Sequence, residues 1–316
     1  MRDFTFEIYS IMITVLKDSG YCFQTFQEFL EKPLEKVVLM RHDVDRKSNN
    51  AHKMARLEQS NQINSTYYFR TSTECQQPEI IKQISEMSHE IGYHYENLST
   101  AAGELKIEDG ILRTINRLFS ETLKLRMTKS TNSKQDYMNN NEMEKQRGFE
   151  EIIDVVDSNL KSYIVKFFEI GIRDFESSLI KLRNIAPIKT ISMHGSPMSS
   201  IDNRLLWLKY NYRDYGITSE PYFDIDYNDV FYITDAGRTW HDPKANQRDR
   251  VQTKYNFVFQ NQNEITKALR AKKLPDRILI NIHPEHWTDS TFEWYKIWAV
   301  RKGKNFVKRL ILRQAE

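Results

Sequence analysis

The sequence predicts a mixed α/β protein built on a parallel β-sheet. Short apolar runs rich in β-branched or aromatic residues alternate with segments in which apolar residues recur at helical spacing. Strands and helices that alternate in this way form βαβ units, whose strands run parallel. At 316 residues the chain has a length that α/β barrels still fold as one unit, so we expect a single catalytic domain over 1–316.

The N-terminal part supplies the first units of this alternation. Residues 4–17 place apolar side chains at near-helical spacing ahead of Gly20, which predicts an amphipathic opening helix. The apolar run VVLM at 37–40 predicts a buried strand that ends in a polar cluster. The elements predicted next are helices at 48–60 and 78–88 and strands at 65–70 and 90–96.

The remainder of the chain is less regular. A helical region at 104–125 is followed by a strongly polar segment at 128–148, which predicts a mobile loop within an insertion near 126–170. The elements predicted after it are helices at 149–157, 173–184 and 263–272 and strands at 189–195, 229–234 and 277–283. Residues 290–314 predict a basic amphipathic helix, packed on the fold or, alternatively, lying on a membrane surface.

Composition and charge narrow the classes of function. The 46 Lys and Arg residues are interspersed with 43 Asp and Glu residues, which argues against a nucleic-acid partner. The two cysteines follow no metal-ligand or redox spacing. The N-terminal residues lack the layout of a signal peptide, and no window has the roughly 18 apolar residues of a membrane span. We therefore expect a cytoplasmic protein whose contact with a membrane is at most peripheral.

Polar side chains end four of the predicted strands. These residues are Asp43, Asp45, His94, His194 and His283. Because the carboxyl ends of parallel strands meet at one edge, one carboxylate and two neutral imidazoles could hold a divalent ion there, while the other carboxylate serves as a general base. Each residue taken alone also suits a helix cap or a satisfied buried histidine, and only their joint placement favours a site.

Three motifs carry a resemblance to a known family. RHDVD at 41–45, EIGYHYE at 90–96 and NIHPEHW at 281–287 resemble, in this order, the first, second and last motifs of the NodB-type polysaccharide deacetylases of carbohydrate esterase family 4. A subgroup from surface-polysaccharide gene clusters is similar in further segments, which are MHGSP at 193–197, DNR at 202–204, EPYFDIDYNDVFYITDAGRTW at 220–240 and the Arg-Asp pair at 248–249. The resemblance covers most of the chain outside 126–170.

The resemblance implies a distorted (β/α) barrel of the NodB-homology type with insertions. It also implies that the protein removes an acetyl group from an N-acetylated sugar with the help of one divalent metal, which we expect to be zinc. By similarity, Asp43 is the base, His94 a metal ligand, and His283 the acid that protonates the leaving amine.

Two departures from the family pattern affect the metal site. The two aspartates are adjacent in the family, whereas Val44 separates them here, so the metal role passes to Asp45 by inference. The second metal histidine is replaced by Leu98, and we expect His194 to substitute for it, with Glu96 as the alternative.

The run DAGRTW contains candidates for sugar binding. A guanidinium such as that of Arg238 can bridge hydroxyl or acidic groups, and the indole of Trp240 can pack on a pyranose. An Arg paired with Asp235 and a core Trp are the structural alternatives, and Tyr222 and Glu96 are further binding candidates. We expect the substrate to be an N-acetylated sugar or glycan precursor of surface-polysaccharide biosynthesis. The alternatives are a metal-independent amide hydrolase of this fold and a non-catalytic sugar-binding protein.

Overall fold

The computed structural model describes residues 2–72, 74–75, 77–129, 141–196, 199–240 and 251–313. The chain divides into two compact units. We call Met1–Ile91 together with Tyr227–Glu316 the terminal unit, and Gly92–Asp226 the central unit. The single domain over 1–316 and the insertion near 126–170 stay predictions.

Helices and parallel strands alternate along most of the described chain. In its first half the elements are α1 (Phe6–Asp18), β1 (Cys22–Phe23), α2 (Phe26–Glu31), β2 (Val37–Val44), α3 (Ser48–Ser60), β3 (Thr66–Phe69), α4 (Pro78–Glu86), β4 (Glu90–Tyr95), α5 (Asn97–Glu104), α6 (Asp109–Lys129) and α7 (Asn141–Asp154). In its second half they are α8 (Ser158–Arg183), β5 (Ile191–Met193), α9 (Leu206–Lys209), α10 (Pro221–Asp224), β6 (Phe231–Thr234), α11 (Gln262–Arg270), β7 (Arg277–Ile282) and α12 (Thr291–Arg313).

Strand β2 is the centre of the terminal unit's sheet. It pairs in parallel with β3 and with β7, and β7 pairs in parallel with β6. The short strand β1 pairs with the first residues of β2. Every residue of β2 is buried, as expected for a strand covered on both faces of a parallel sheet. Helices α1 and α11 contact each other beside this sheet, and α1 also contacts α3.

Strand β2 extends four residues beyond the apolar run that predicted it, because its polar residues have buried partners. Side chains alternate between the two faces of a strand, so His42 points away from Arg41 and Asp43. His42 Nε2 lies 2.7 Å from the carboxylate of Glu58 in α3, and that carboxylate also accepts a 2.6 Å hydrogen bond from Tyr67. These bonds offset the cost of burying polar groups in a strand.

The central unit is built from the end of β4, from β5 and from helices. Tyr93, His94 and Tyr95 pair in parallel with β5. Helices α5 and α8 pack closely, and a Cβ at Gly171 of α8 would meet Leu98 Cδ2 at only 2.9 Å. The glycine therefore permits the close approach of the two helices.

The predicted α/β class with a parallel sheet is confirmed, and the strands of the terminal unit with their crossover helices are consistent with a partial (β/α) barrel. The helix predicted at 104–125 is wrong at its start: α5 ends at Glu104, and Lys106 has φ of +51°, which no right-handed helix accommodates. Residues 141–148 belong to α7 and not to the predicted loop, because NEMEKQR is rich in strong helix formers. Residues 130–140 of that loop lie outside the described residues.

No helix among the described residues is at once long enough and apolar enough to cross a membrane.

Candidate active site

Asp43 lies near the carboxyl end of β2 and is held by three charged or polar donors. Arg41, two residues earlier on the same strand face, donates from Nε to Oδ1 at 2.8 Å and from Nη2 to Oδ2 at 2.7 Å. Asn281 of β7 donates from Nδ2 to Oδ2 at 3.0 Å. Both side chains of the ion pair are buried. A bidentate pair of this kind fixes the orientation of the carboxylate as well as its charge.

Asp45 follows β2 in a turn. Its backbone N–H donates to Asp43 O at 3.1 Å, a bond between residues two apart that bends the chain after Val44. Asp45 therefore lies in a bend after β2 and does not continue the strand face that carries Asp43. The backbone oxygen of Asp45 accepts from Cys75 Sγ at 2.6 Å, which ties the turn to the segment before α4.

Three neighbouring strands of the terminal unit end at or near titratable residues. His42 of β2 is opposite Ile282 of β7, so Asp43 and His283 are the next residues on adjacent parallel strands. Strand β6 pairs with the other side of β7 and is followed directly by Asp235, whose N–H donates to Asn281 O at 3.1 Å. Adjacent strands are about 4.8 Å apart, so the three side chains belong to one edge of the sheet.

His283 and Asp235 form a buried pair. His283 Nδ1 lies 2.7 Å from Asp235 Oδ1, and the backbone N–H of His283 donates to the same oxygen at 2.9 Å. Trp287 Nε1 donates to Asp235 Oδ2 at 2.7 Å. Because the carboxylate accepts at Nδ1, it fixes the orientation of the ring and assigns a proton to that nitrogen.

This environment favours the protonated form of His283. Burial alone would lower its pKa, but the hydrogen bond and charge of Asp235, with the charges of Asp45 and Glu285, raise the pKa of His283 well above its usual value. Burial likewise would raise the pKa of Asp235, and the imidazoles of His286 and His283 lower it. An imidazolium at neutral pH is suited to donate a proton.

Two further titratable groups surround this pair. The ring of His286 stacks on that of His283 with centroids 5.3 Å apart, and burial and the charge of Arg301 lower the pKa of His286 to about 4. Burial and the charge of Asp45 raise the pKa of Glu285 to about 7. Arg301 of α12 donates to Glu285 Oε1 at 3.1 Å.

Asp235, His283 and His286 also form a group whose potential ligand atoms lie within 4.8 Å of one another. Their present partners favour a hydrogen-bonded network over an ion in this group, because Trp287 and His283 already donate to both oxygens of Asp235.

The central unit brings together the two predicted metal histidines. The rings of His94 and His194 lie with centroids 5.1 Å apart. His94 Nδ1 is 2.9 Å from the backbone oxygen of Ser192, and His194 Nδ1 is 2.7 Å from Glu96 Oε2. A carbonyl oxygen can only accept, so His94 carries its proton on Nδ1 and, when neutral, its lone pair on Nε2. The carboxylate of Glu96 favours the same tautomer in His194.

This arrangement is typical of metal-ligating histidines, which usually donate their second ring N–H to a carbonyl or a carboxylate. The donor chemistry of the pair therefore fits a zinc ion bound through Nε2 of both rings. Glu96, which we considered as a metal ligand and as a substrate contact, is the hydrogen-bond partner of His194. Asp45 belongs to the terminal unit, so its role as third ligand stays a prediction.

The remaining candidates for substrate binding each pack against other side chains of the protein. Trp240 is buried, with its ring 5.8 Å from that of Phe4 and stacked on it, as in the core alternative. The guanidinium of Arg238 lies 4.4 Å from the ring of Trp294 and donates to Trp294 O at 3.2 Å. Tyr222 of the central unit is buried under the guanidinium of Arg204 at 4.8 Å. The binding roles of Arg238, Trp240 and Tyr222 stay predictions.

Sequence reasoning missed three residues of the terminal unit's site. Asp235 was considered only as a partner of Arg238, yet its carboxylate accepts from His283 and Trp287. It directly follows the strand predicted at 229–234, so the strand-end argument that selected Asp43 could have found it. Asn281 carried no comparable signal, since its role depends on the pairing of β2 with β7. Arg41 lies two residues before Asp43 on the same strand, so the strand period could have found it. Pro197 and the Arg-Asp pair at 248–249, which contribute to the family resemblance, lie outside the described residues.

Comparison with protein-family models, with curated proteins and with solved structures finds no match to this chain.

Proposed function

We propose that this protein is a metal-dependent hydrolase that removes the acetyl group from an N-acetylated sugar, and that it acts in surface-polysaccharide biosynthesis. The observation that carries the proposal is the placement of Asp43 and His283 at the ends of adjacent strands. The carboxylate of Asp43 is held by Arg41, and the imidazole of His283 is held by Asp235. Amide hydrolysis needs a proton acceptor for the attacking water and a proton donor for the departing nitrogen. The acetylated sugar as substrate comes from the family resemblance.

His94 and His194 would hold the metal through Nε2, with Asp45 as the third ligand by the family resemblance. A divalent ion bound there would supply Lewis-acid polarisation of an acyl oxygen and a water of lowered pKa. The Nδ1 partners of the two histidines support this assignment, because they leave the lone pairs on Nε2.

The proton transfers fall to residues of the terminal unit. Asp43 accepts the proton of the attacking water, and Arg41 and Asn281 keep its carboxylate in one orientation while it does so. His283 donates a proton to the sugar nitrogen as the carbon–nitrogen bond breaks. Asp235 stabilises the imidazolium before the transfer and orients the ring throughout.

The proposal is tested by acetate release. The full chain, loaded with zinc, is incubated with N-acetylated sugars in free, nucleotide-linked and lipid-linked form. We expect one acetate and one new primary amine for each turnover with at least one of them, and loss of the reaction on treatment with a chelator. Acetate release that withstands complete metal removal would contradict the metal-dependent mechanism. Absence of release with every carrier by metal-loaded protein would contradict the deacetylase.

A further inference from the structure

Helix α12 exposes large aromatic side chains on one face. Phe292, Tyr295 and Trp298 are 81%, 55% and 43% exposed, and we call these three residues the aromatic stripe. Their spacing of three residues places them within about 120° of the helix circumference, on a single face. Large apolar side chains that are exposed together in this way mark an interaction surface more often than isolated ones do.

The opposite face of α12 is bound to the terminal unit. Trp294 Nε1 donates to Asp3 O at 2.6 Å, and Glu293 accepts from Thr288 at 2.9 Å and pairs with Lys47. The salt bridge from Arg301 to Glu285 adds a third connection at 3.1 Å. The helix is therefore docked through one face, and the stripe is exposed because it lies on the other face.

The surroundings of the stripe are basic. Lys302 Nζ lies 4.6 Å from the ring centroid of Trp298, and the exposed Lys296 lies one helical turn after Phe292. The sequence of α12 contains seven Lys or Arg residues and a single acidic one, Glu293, which already pairs with Lys47. The occupant that complements this surface is therefore anionic, and it must also accept inserted aromatic side chains.

An anionic lipid surface meets both requirements. Tyr and Trp carry a polar tip on an apolar body and are enriched at the level of lipid headgroups, and basic side chains beside them attract anionic lipids. A second copy of the chain fits poorly, because a self-complementary contact would bring two basic helices together. A nucleic-acid duplex keeps its bases stacked inside, so it would present phosphates but no apolar layer to the exposed Phe292.

We propose that α12 docks the protein peripherally on anionic membranes, with the aromatic stripe inserted among the headgroups and Lys296 and Lys302 against the lipid phosphates. This contact does not depend on the deacetylase activity. It would bring the terminal unit to the surface on which a lipid-carried substrate resides.

Vesicle binding by the full chain tests the proposal. The protein is sedimented with vesicles of phosphatidylcholine alone and of phosphatidylcholine mixed with phosphatidylglycerol, at low and at high salt. We expect binding to the mixed vesicles that weakens with salt, because exposed charges are screened. Combined replacement Phe292→Ser and Trp298→Ser should lower the affinity by more than tenfold, and each of Lys296→Glu and Lys302→Glu by roughly fivefold or more.

The matched controls are Val155→Ser and Ile180→Ser, which remove exposed apolar side chains elsewhere and should leave vesicle binding unchanged. Equal binding to neutral and anionic vesicles, or no binding at low salt, would overturn the proposal. A dimer in sedimentation velocity that the stripe replacements dissolve, without vesicle binding, would assign the surface to a second copy instead. None of these measurements requires metal or activity, so failure here is distinct from failure of the proposed function.

Discussion

The candidate histidines of both units form hydrogen bonds through Nδ1, but the partner of that nitrogen differs between the units. In the terminal unit, His283 Nδ1 binds a fully buried carboxylate, Asp235, which the indole N–H of Trp287 also holds. In the central unit, His94 Nδ1 binds a neutral backbone oxygen, and His194 Nδ1 binds Glu96, whose side chain is 20% exposed.

The difference indicates how one side chain type serves two kinds of chemistry. A buried carboxylate with no competing water stabilises the imidazolium, so His283 suits a proton donor. A backbone carbonyl fixes the tautomer of His94 without adding a charge, so the neutral form of the ring has its lone pair on Nε2, as metal ligation requires. In the proposed function, the acid–base work falls to Asp43 and His283 of the terminal unit, and His94 and His194 of the central unit are the metal-binding histidines.

The largest effect should come from the acid–base pair. We expect Asp43→Asn and His283→Gln each to lower kcat for deacetylation by about 10²- to 10⁴-fold, because each removes one proton transfer. The bound metal should remain, since neither side chain ligates it in this account. His52→Gln, on α3, serves as the control and should keep full activity. Loss of metal in the Asp43 or His283 variant would break the separation between the two units.

Replacing Asp235 tests the charge on His283 directly. Burial lowers the pKa of His283 and the carboxylate of Asp235 raises it, so Asp235→Asn should bring the pKa down. The imidazolium would then lose its proton at lower pH, and the basic limb of the kcat/KM profile should move to lower pH. Asp229→Asn removes an exposed carboxylate and should leave the profile in place. An unchanged basic limb in Asp235→Asn would show that another group is the proton donor.

A smaller effect is expected for the partner of His194. Glu96→Gln keeps an acceptor near Nδ1 but removes the charge that favours the Nε2 lone pair, and should weaken zinc affinity by about 10- to 100-fold. Competition with a chelating dye measures the affinity, and Glu104→Gln on the exposed side of α5 is the matched control. If Glu96→Gln removed zinc completely, Glu96 would be a ligand itself.

The smallest catalytic effect should come from Trp240. Its indole packs against Phe4 and Trp287, so Trp240→Phe should lower the free energy of unfolding by about 1–3 kcal/mol and leave KM unchanged. Chemical denaturation and steady-state kinetics on one preparation separate the two outcomes. A rise in KM without loss of stability would instead support direct contact with the sugar.

Local sequence pattern was sufficient to predict the buried strands of the terminal unit and the polar residues that follow them. Short apolar runs that end in polar residues predicted the positions of Asp43 and His283, because a parallel strand buried on both faces appears in the sequence as a continuous apolar run. The pairing of β7 with β2 and with β6 was not readable, so the contacts of Asp43 with Asn281 and of His283 with Asp235 were out of reach. Residues 141–148 of helix α7 were missed because the polar composition of 128–148 was given more weight than helix propensity.

Metal content of the purified chain tests whether His94 and His194 hold an ion. It is measured by elemental analysis for the native sequence and for His94→Ala, His194→Ala and His286→Ala. We predict about one divalent ion per native chain, loss of the ion in the first two variants, and its retention in His286→Ala. Loss in His286→Ala with retention in the other two would place the ion beside Asp235 and contradict the division of roles between the units. Metal-free native protein under metal-replete conditions would contradict the metal-dependent mechanism and favour the metal-independent hydrolase or the sugar-binding protein.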